Sequence, residues 1–262
     1  MSGAAIDFSS RNVLVTGGAR GIGLGIVRAF LDSGARVVFV DHDEALGLDA
    51  ERRLREQHAD ASSVHFVAAD VGRFESCQAA FARAEALIGP IDTLINNAGI
   101  SPKTDGRGLP VDEIPVDEWL RVVDVNLNGI FYFSKLVTPG MKRRGFGRIV
   151  SMSSVAGKAY LDVCALHYAA TKAAVIGATR QLAGELGPFG INVNAIAPGR
   201  IDTEMVAVAG EAANAAYVAQ TPLKRLGTTR EVAALCLYLA SRDEAGFVTG
   251  QVVDVAGGWL MT

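Results

Sequence analysis

Residues 15–23, VTGGARGIG, decide the fold. They begin in the strand-like run NVLVT and lead into a helix-like segment, with Gly17, Gly21 and Gly23 in the spacing Thr-Gly-x-x-x-Gly-x-Gly. Glycine permits a tight turn and a close approach of the backbone to a pyrophosphate, whose charge the N-terminus of a helix stabilises. Because the loop joins a strand to a helix at the start of a repeating pattern, it predicts a nucleotide-binding site that includes Ile22.

The rest of the chain continues this alternation of short β-branched runs and longer amphipathic segments, which is typical of βαβ units around a parallel sheet. The apolar runs are too continuous for a sheet with one wet face, so helices are expected on both faces. The sequence therefore predicts an α/β fold, a single Rossmann-type doubly wound domain over residues 1–262. The seven predicted parallel strands are NVLVT, RVVFV, VHFVAA, DTLIN, GRIVSM, INVNAIA and GQVVDV.

Two segments interrupt this pattern and are expected to form loop-rich or mobile walls of a substrate pocket. They are residues 101–110, SPKTDGRGLP, and residues 205–222, MVAVAGEAANAAYVAQTP. One long helix is predicted from around Trp119 to Arg144, and another from Thr229 to Ala240.

Composition limits the class of protein. Of the 262 residues 50% are hydrophobic, which is enough for a sizeable core and argues against a disordered chain. The net charge of −3 offers no basic field for a phosphate backbone, so no nucleic-acid partner is expected. The first ten residues show no basic-then-apolar leader and no apolar run is long enough to cross a bilayer, so no membrane partner and a cytoplasmic location are expected.

Cysteine and histidine give no sign of a disulfide framework or a metal site. Three cysteines without C-x-x-C spacing predict free thiols, and four scattered histidines show no ligand spacing, so no metal is expected. His167 is interpreted as a pocket-wall residue. The cysteines are Cys77, Cys164 and Cys236.

Asp41 follows the second predicted strand, where a carboxylate can accept hydrogen bonds from both hydroxyls of an adenine ribose and would repel a 2′-phosphate. Arg20, directly before Gly21, could instead pair with such a phosphate. The sequence favours NAD, with NADP as the alternative. Asp70 and Val71 follow the third strand and could meet the adenine, although a helix cap by Asp70 is a rival interpretation.

Residues 167–175, HYAATKAAV, place Tyr168 and Lys172 four positions apart, on the same face of a predicted helix. An ammonium group beside the phenol would lower the pKa of the tyrosine towards neutrality. By itself this spacing is common on exposed helices, where it has no catalytic meaning.

The order of the motifs decides between these interpretations, because the chain resembles the short, single-domain branch of the short-chain dehydrogenases/reductases over nearly its whole length. TGGARGIG, NNAG (residues 96–99), VNLNG, SMSS, YAATK and PGRIDT occur in that family's order. Any one of these motifs could arise by chance, but six of them in order, on a matching pattern of strands and helices, are specific for the family.

The resemblance implies a catalytic set of Asn126, Ser154, Tyr168 and Lys172. Tyr168 would be the general acid or base that moves a proton during hydride transfer, and Ser154 would hydrogen-bond the substrate oxygen. Lys172 would lower the pKa of Tyr168 and hold the nicotinamide ribose, and Asn126 would organise water near Lys172. The family's serine usually stands thirteen positions before the tyrosine, but here the separation is 168 − 154 = 14, which implies one inserted loop residue.

The same resemblance implies further cofactor contacts. NNAG would lie under the adenine-side ribose and steady the sheet, and PGRIDT would wrap the nicotinamide, with Ile201 and Thr203 reaching the carboxamide. The C-terminal QVVDVAGGW resembles a tail that packs against another subunit, which implies a homotetramer or homodimer. The motif residues expected at the cofactor are Asn97, Ala98, Gly99, Pro198, Gly199, Ile201 and Thr203, besides Tyr168 and Lys172.

The leading hypothesis is therefore an NAD(H)-dependent oxidoreductase that interconverts a secondary alcohol and a ketone. The alternatives are an NADPH-dependent 3-oxoacyl thioester reductase and a non-catalytic dinucleotide-binding scaffold. The substrate is expected to be mainly apolar. Lys103, Arg107 and Lys158 could meet a carboxylate, but exposed loop charges are the favoured interpretation of these three.

Overall fold

The structure is a computed structural model that describes residues 6–58, 60–207 and 210–261. Seven parallel strands form one sheet in the order β3-β2-β1-β4-β5-β6-β7, which confirms the predicted doubly wound architecture. The strands are β1 (Asn12–Thr16), β2 (Arg36–Asp41), β3 (Val64–Ala68), β4 (Thr93–Asn96), β5 (Gly147–Met152), β6 (Ile191–Pro198) and β7 (Val252–Val255).

Nine helices are present in the described part of the chain, and the longer ones cover both faces of the sheet. They are α1 (Gly21–Asp32), α2 (Glu44–Gln57), α3 (Phe74–Ile88), α4 (Val116–Val123), α5 (Gly129–Arg144), α6 (Leu166–Leu186), α7 (Glu204–Ala207), α8 (Glu211–Gln220) and α9 (Thr229–Ala240).

Successive side chains along each strand point to opposite faces of the sheet, and this divides the core into two layers. Val13 and Val15 of β1 face a cluster that includes Phe30 of α1, whereas Leu14 faces a second cluster that includes Phe133 of α5. All five side chains are fully buried. The two layers hold the sheet between helices, so the carboxyl ends of the strands remain as the edge where loops can build a site.

The strand order reverses between β1 and β4, and this is where the glycine loop lies. β1 pairs with β2 on one side and with β4 on the other, so the loops after β1 and β4 diverge at their carboxyl ends. Such a crevice is the usual ligand position in an open parallel sheet.

The long helix predicted from around Trp119 to Arg144 is present, because helical residues run without a break from α4 through the π-helical turn Asp124–Asn128 into α5. The π-helical turn, which accommodates one extra residue, was not expected. One sequence-based expectation about helices is wrong. The loop predicted over residues 205–222 is largely helical as α7 and α8, since its alanines favour helix and it has no internal proline. Residues 208 and 209 of that segment lie outside the described residues.

Within the described ranges, no helix combines the length and apolar character needed to cross a bilayer. No group of three or more His, Cys, Asp or Glu side chains is arranged there to hold a metal ion. The thiols Cys77, Cys164 and Cys236 are all free, as predicted.

Candidate active site

The glycine loop closes tightly onto the start of α1. Gly17 and Gly21 have φ angles of +65° and +56°, which favour glycine. A Cβ atom on Gly23 would lie 1.9 Å from the carbonyl oxygen of Gly17, so only glycine fits there. Helix α1 starts without a side-chain cap and without an acidic residue in its first turn. Its N-terminal amides are therefore suited to an anionic group such as a pyrophosphate.

Asn97 of the NNAG motif fastens this loop to β4. Its Nδ2 donates hydrogen bonds to the carbonyl oxygens of Thr16 (3.0 Å) and Gly17 (2.9 Å). In return, Thr16 Oγ1 accepts from the backbone amides of Asn97 and Ala98, each at 3.0 Å. These contacts give Asn97 and Ala98 a structural role at the glycine loop.

Asp41 lies at the end of β2 with its side chain 8% exposed. Its carboxylate accepts a hydrogen bond from the amide of Ala19 in the glycine loop (3.2 Å) and one from the amide of His42 (2.9 Å). Arg20 is 57% exposed, and its guanidinium lies 3.5 Å from the carboxylate of Glu204 on α7. Asp41 is thus the buried, fixed charge of the two, and Arg20 is the exposed one.

Asp70 and Val71 follow β3 and approach α4 and α5. Asp70 Oδ1 accepts from the amide of Gly72 (2.9 Å), and its carboxylate pairs with Arg121 at 3.0 Å. Burial alone would raise the pKa of Asp70, but these two partners hold it below its usual value. Asp70 does not cap α3, whose N-cap residue is Arg73, so the rival interpretation is wrong. Val71 is buried.

The segment after β6 begins with Pro198 and Gly199. The amide of Gly199 donates to the carbonyl oxygen of Val255 (2.9 Å), which holds the segment against β7. A Cβ atom on Gly199 would lie 2.4 Å from the hydroxyl of Tyr217 on α8, so glycine allows this close contact.

Ile201 and Thr203 occupy different environments. The Ile201 side chain is buried against Gly227, where a Cβ atom would lie 2.5 Å from Ile201 Cδ1. The Ile201 side chain is therefore part of the core, so a contact from this side chain to a ligand is not expected. Thr203 lies next to the glycine loop, because a Cβ on Gly21 would be 3.6 Å from its Cγ2.

The structure brings Ser154 and Tyr168 close together. Ser154 follows β5 and Tyr168 lies in the first turn of α6, and the Ser154 hydroxyl is near enough to the phenol to lower the pKa of Tyr168. The neighbouring Ser153 is turned away, since its Oγ donates to the backbone oxygen of Lys172 at 2.8 Å. Ser154 and Tyr168 are fourteen positions apart, one more than is usual in the family. The loop between β5 and α6 accommodates the extra residue, and Ser154 remains near Tyr168.

Lys172 and Asn126 meet at Gly99. A Cβ atom on Gly99 would lie 3.3 Å from Lys172 Nζ and 3.4 Å from Asn126 Oδ1, so the glycine leaves room for both groups. Lys172 Nζ donates to the carbonyl oxygen of Met152 (2.8 Å). The motif NNAG therefore contributes to both ends of the site, with Asn97 at the glycine loop and Gly99 at the catalytic candidates.

Asn126 lies in the π-helical turn and is fully buried. Its amide exchanges hydrogen bonds with the backbone of Ile100, accepting from the nitrogen at 2.8 Å and donating to the oxygen at 2.9 Å. It also donates to Thr171 Oγ1 on α6 (3.3 Å). Asn126 thus connects the loop after β4 to the helix of Tyr168 and Lys172. Thr171 was not anticipated from the sequence, although it lies within YAATK.

The predicted lowering of the Tyr168 pKa is not found. Burial raises the pKa of Tyr168 to about 12, an effect that the neighbouring Ser154 hydroxyl only partly offsets. Burial also lowers the pKa of Lys172 to about 8. The reason is that Lys172 is buried and Tyr168 is partly removed from water, and the ammonium is directed to the Met152 carbonyl rather than to the phenol.

The structure contradicts the sequence-based interpretation of Lys158, Lys103 and His167, and it agrees with that of Arg107. Lys158 is not an exposed loop charge, because it forms a 2.7 Å ion pair with Asp254 and each side chain is 14% exposed. Lys103 is half-buried, and Arg107 is exposed as expected. His167 is fully buried, with its Nε2 2.8 Å from Glu118 on α4, so it is a core residue rather than a pocket wall.

A glycine loop, a carboxylate after β2 and a serine, tyrosine and lysine set after β5 define a nicotinamide dinucleotide-dependent oxidoreductase of the doubly wound class. The chain belongs to the short-chain dehydrogenase/reductase family, and residues 17–260 match the family model described as Enoyl-(Acyl carrier protein) reductase. Members of this class act on CH–OH or keto groups.

Three relatives show the range of this similarity. The chain is 40% identical to an acetoacetyl-CoA reductase of Rhizobium meliloti (strain 1021), over 95% of this chain and 98% of the relative. It is 36% identical to a 2-dehydro-3-deoxy-L-rhamnonate dehydrogenase (NAD(+)) of Sphingomonas sp. (strain SKA58), over 98% of each. A crystal structure of a 3-oxoacyl-[acyl-carrier protein] reductase with bound NAD from Brucella melitensis superposes with a TM-score of 0.89 at 46% identity, covering 97% of this chain and 92% of that one.

Proposed function

We propose that this protein is an NAD(H)-dependent oxidoreductase that interconverts a secondary alcohol and a ketone. The observation that carries the proposal is that Ser154, Tyr168 and Lys172 lie next to one another, with Lys172 Nζ 5.7 Å from the Tyr168 ring centroid. A bound nicotinamide would supply or accept the hydride. A carbonyl oxygen between the two hydroxyls would be oriented by Ser154 and would receive its proton from Tyr168.

The raised pKa of Tyr168 suits the role of proton donor, because the hydroxyl stays protonated at neutral pH. Lys172 is held 5.7 Å from the phenol ring centroid, and Asn126 fixes the adjacent loop. In this proposal Lys172 holds the cofactor ribose. Its positive charge also stabilises the phenolate that forms when Tyr168 gives up its proton. Asn126 is a positioning residue that keeps the loop after β4 against α6.

NAD is the proposed cofactor, because the carboxylate of Asp41 is buried at the end of β2, and a negative charge beside the adenine ribose would repel a 2′-phosphate. Arg20 is exposed and directed to Glu204, so it offers less to such a phosphate. The NAD in the Brucella structure and the NAD(+) in the name of the Sphingomonas relative support the same choice.

The test is turnover of a panel of secondary alcohols with NAD, and of the corresponding ketones with NADH, in the wild type and two neighbouring serine variants. Ser154→Ala should lower kcat/KM by about a hundredfold, as expected for the loss of a hydrogen bond to the reacting oxygen. Ser153→Ala should retain kcat/KM within about threefold, since that hydroxyl serves the α6 backbone. Equal losses in both variants would contradict the assignment.

A second candidate is a 3-oxoacyl thioester reductase that uses NADPH. It is favoured by the names of the Rhizobium and Brucella relatives, which share 40% and 46% identity with this chain. Acetoacetyl-CoA consumption with NADPH, compared with NADH under the same conditions, separates the two candidates. A non-catalytic scaffold is disfavoured, because Tyr168 and Lys172 are both present and Lys172 Nζ lies 5.7 Å from the Tyr168 ring centroid.

We further propose that the chain is a single domain, since one sheet carries both the dinucleotide loop and the catalytic candidates. A homodimer or homotetramer is also proposed, because α4 and α5 expose Leu120 and Phe131. Sedimentation velocity tests this assembly. The three free thiols suit a reducing compartment, which supports a cytoplasmic location.

A further inference from the structure

We propose that the ion pair between Lys158 and Asp254 positions Ser154, by holding the turn that begins at Ser154 against the edge strand β7. The two charged residues are positioning residues that act through the Ser154 hydroxyl and do not touch the substrate. The proposal rests on the proposed function, because that function assigns the Ser154 hydroxyl to the substrate oxygen.

Ser154 lies just beyond the last part of β5 that the sheet holds. The amide of Ser153 donates to the carbonyl oxygen of Ile196 on β6 at 2.8 Å, and Ser154 is the next residue. A short 3-10 turn, Val155–Gly157, follows directly. The position of the Ser154 hydroxyl therefore depends on the turn that it begins. We call residues 154–158 the serine turn.

Hydrogen bonds inside the serine turn orient the Ser154 side chain. Ser154 Oγ accepts from the amide of Ala156 (3.1 Å), and the carbonyl oxygen of Ser154 accepts from the amide of Gly157 (3.0 Å). Accepting from an amide leaves the O–H proton of Ser154 for a partner outside the turn. Because the hydroxyl is bonded to the backbone of the turn, a shift of the turn moves the hydroxyl with it.

One side of the serine turn packs on α6 at the candidate lysine. A Cβ atom on Gly157 would lie 2.6 Å from the carbonyl carbon of Lys172 and 2.7 Å from its carbonyl oxygen, so glycine allows direct backbone contact. Ser153 Oγ donates to the same carbonyl oxygen at 2.8 Å. These contacts set the distance between the turn and α6, but they do not fix the end of the turn at Lys158.

Lys158 fastens that end to β7. Its amide donates to the carbonyl oxygen of Val155 (3.0 Å), which closes the turn. Its Nζ donates to Asp254 Oδ1 at 2.7 Å and to the carbonyl oxygen of Val252 at 3.3 Å. Both acceptors belong to β7, the edge strand next to β6. The serine turn is thus held between α6 on one side and β7 on the other.

The burial of the ion pair indicates that it serves position more than stability. Each of the two side chains is 14% exposed, so both charges are largely removed from water. The cost of desolvation offsets most of the attraction in such a pair, and apolar side chains often stabilise a fold equally well. An apolar contact can slide, whereas a 2.7 Å ion pair fixes both partners. Catalysis needs such precision, because a displacement of about 1 Å can cost about a hundredfold in rate.

The test removes both charges in the double variant Lys158→Met/Asp254→Asn, which leaves neither member of the pair as an unmatched charge. With a secondary alcohol and NAD, kcat should fall about tenfold, while KM and the dissociation constant for NADH stay within about twofold. The matched control is Arg83→Met, which removes an exposed cation from α3 and should retain kcat within about twofold. If the double variant fails to fold, Asp254→Asn keeps the side-chain shape and should lower kcat at least about threefold.

A second comparison asks whether the ion pair acts through Ser154. In a Ser154→Ala background, removal of the pair should lower kcat by less than about twofold, because no hydroxyl remains to be positioned. A general loosening of the structure would instead lower kcat by the same factor in both backgrounds. Equal factors, or an unchanged kcat in the double variant, would overturn the proposal.

Hydrogen exchange supplies a measurement that needs no turnover. The amides of Ala156 and Gly157, which are bonded to Ser154, should exchange at least about tenfold faster in the double variant, while that of Ile149 in β5 should exchange as in the wild type. Unchanged exchange in the serine turn would also overturn the proposal. Faster exchange in a protein whose wild type shows no turnover refutes only the oxidoreductase, and turnover with equal factors refutes only the positioning role.

Discussion

The ammonium nitrogen of Lys172 lies 5.7 Å from the ring centroid of Tyr168 and donates its 2.8 Å hydrogen bond to the Met152 carbonyl. The lysine is therefore near the tyrosine without being bonded to it. Lys172 is buried and Tyr168 is half-buried, and their pKa values move in opposite directions, Tyr168 up and Lys172 down. In each case burial favours the neutral form.

Replacing Tyr168 with phenylalanine should reduce kcat by about a hundredfold or more, because the proton-transfer group is lost. The dissociation constant for NADH should stay within about twofold, since the ring and its packing remain. Steady-state kinetics and a fluorescence titration measure the two quantities. Tyr160→Phe is the control, because that tyrosine is 87% exposed. A Tyr168→Phe protein with retained turnover would show that another residue moves the proton.

Lys172→Met should change how stability depends on pH. The pKa of Lys172 falls from 10.5 to about 8 on folding, so between these values the unfolded chain binds more protons than the folded one. The wild type should therefore gain up to about 3 kcal/mol relative to Lys172→Met as the pH rises from 8 towards 10.5. Tyr168 opposes this trend between pH 10 and about 12, because its raised pKa keeps the folded state protonated.

Urea unfolding of both proteins from pH 7 to 10 measures this difference and avoids most of the tyrosine range. Lys135→Met is the control, because Lys135 is exposed on α5 and its substitution should leave the curve parallel to that of the wild type. If the curve of unfolding free energy against pH for Lys172→Met is also parallel to that of the wild type, Lys172 stays charged in the folded protein over the whole range from pH 7 to 10.

The sequence was sufficient to predict the seven-stranded parallel sheet. Each strand is a short run rich in β-branched residues and bounded by turn-forming residues. Such a local pattern predicts a strand without knowledge of tertiary contacts. The π-helical turn at Asn126 was not predictable, because one extra residue in a helix leaves the apolar pattern almost unchanged.

The electrostatics of the site were also not predictable from spacing. The four-residue offset of Tyr168 and Lys172 indicates a shared helix face, but the Met152 carbonyl that accepts from Lys172 lies on β5. Lys158 forms its ion pair with Asp254, which is 96 positions away in the sequence. Contacts of this kind depend on which loops the tertiary fold brings together, and they decide whether a charge is exposed, paired or desolvated.

Asp41→Asn should weaken NADH binding by about tenfold and reduce the preference for NADH over NADPH, because the buried negative charge is replaced by a neutral amide of the same shape. Arg20→Gln should change either affinity by less than about threefold, since that side chain is 57% exposed and its nearest carboxylate is 3.5 Å away. Parallel fluorescence titrations of NADH and NADPH at one salt concentration measure both effects. A larger loss of NADPH binding in Arg20→Gln would make Arg20 the selector.

Glu118→Ala should destabilise the protein by about 1–3 kcal/mol, because it removes the hydrogen-bond partner of a buried histidine. His167 is fully buried directly before Tyr168, and its Nε2 lies 2.8 Å from Glu118. Its other ring nitrogen, Nδ1, has no partner within the described residues. Loss of Glu118 would therefore leave the whole imidazole unsatisfied at the point where α4 packs against the catalytic end of α6.

Urea unfolding at pH 7 measures this effect, with Asp117→Ala as the matched control. Asp117 is exposed in the same first turn of α4, so both variants lose the same favourable interaction with the helix dipole. Only Glu118→Ala also loses the contact to His167. Equal destabilisation in the two variants would mean that the contact to His167 contributes nothing beyond the dipole, whereas a greater loss in Glu118→Ala assigns the difference to the histidine.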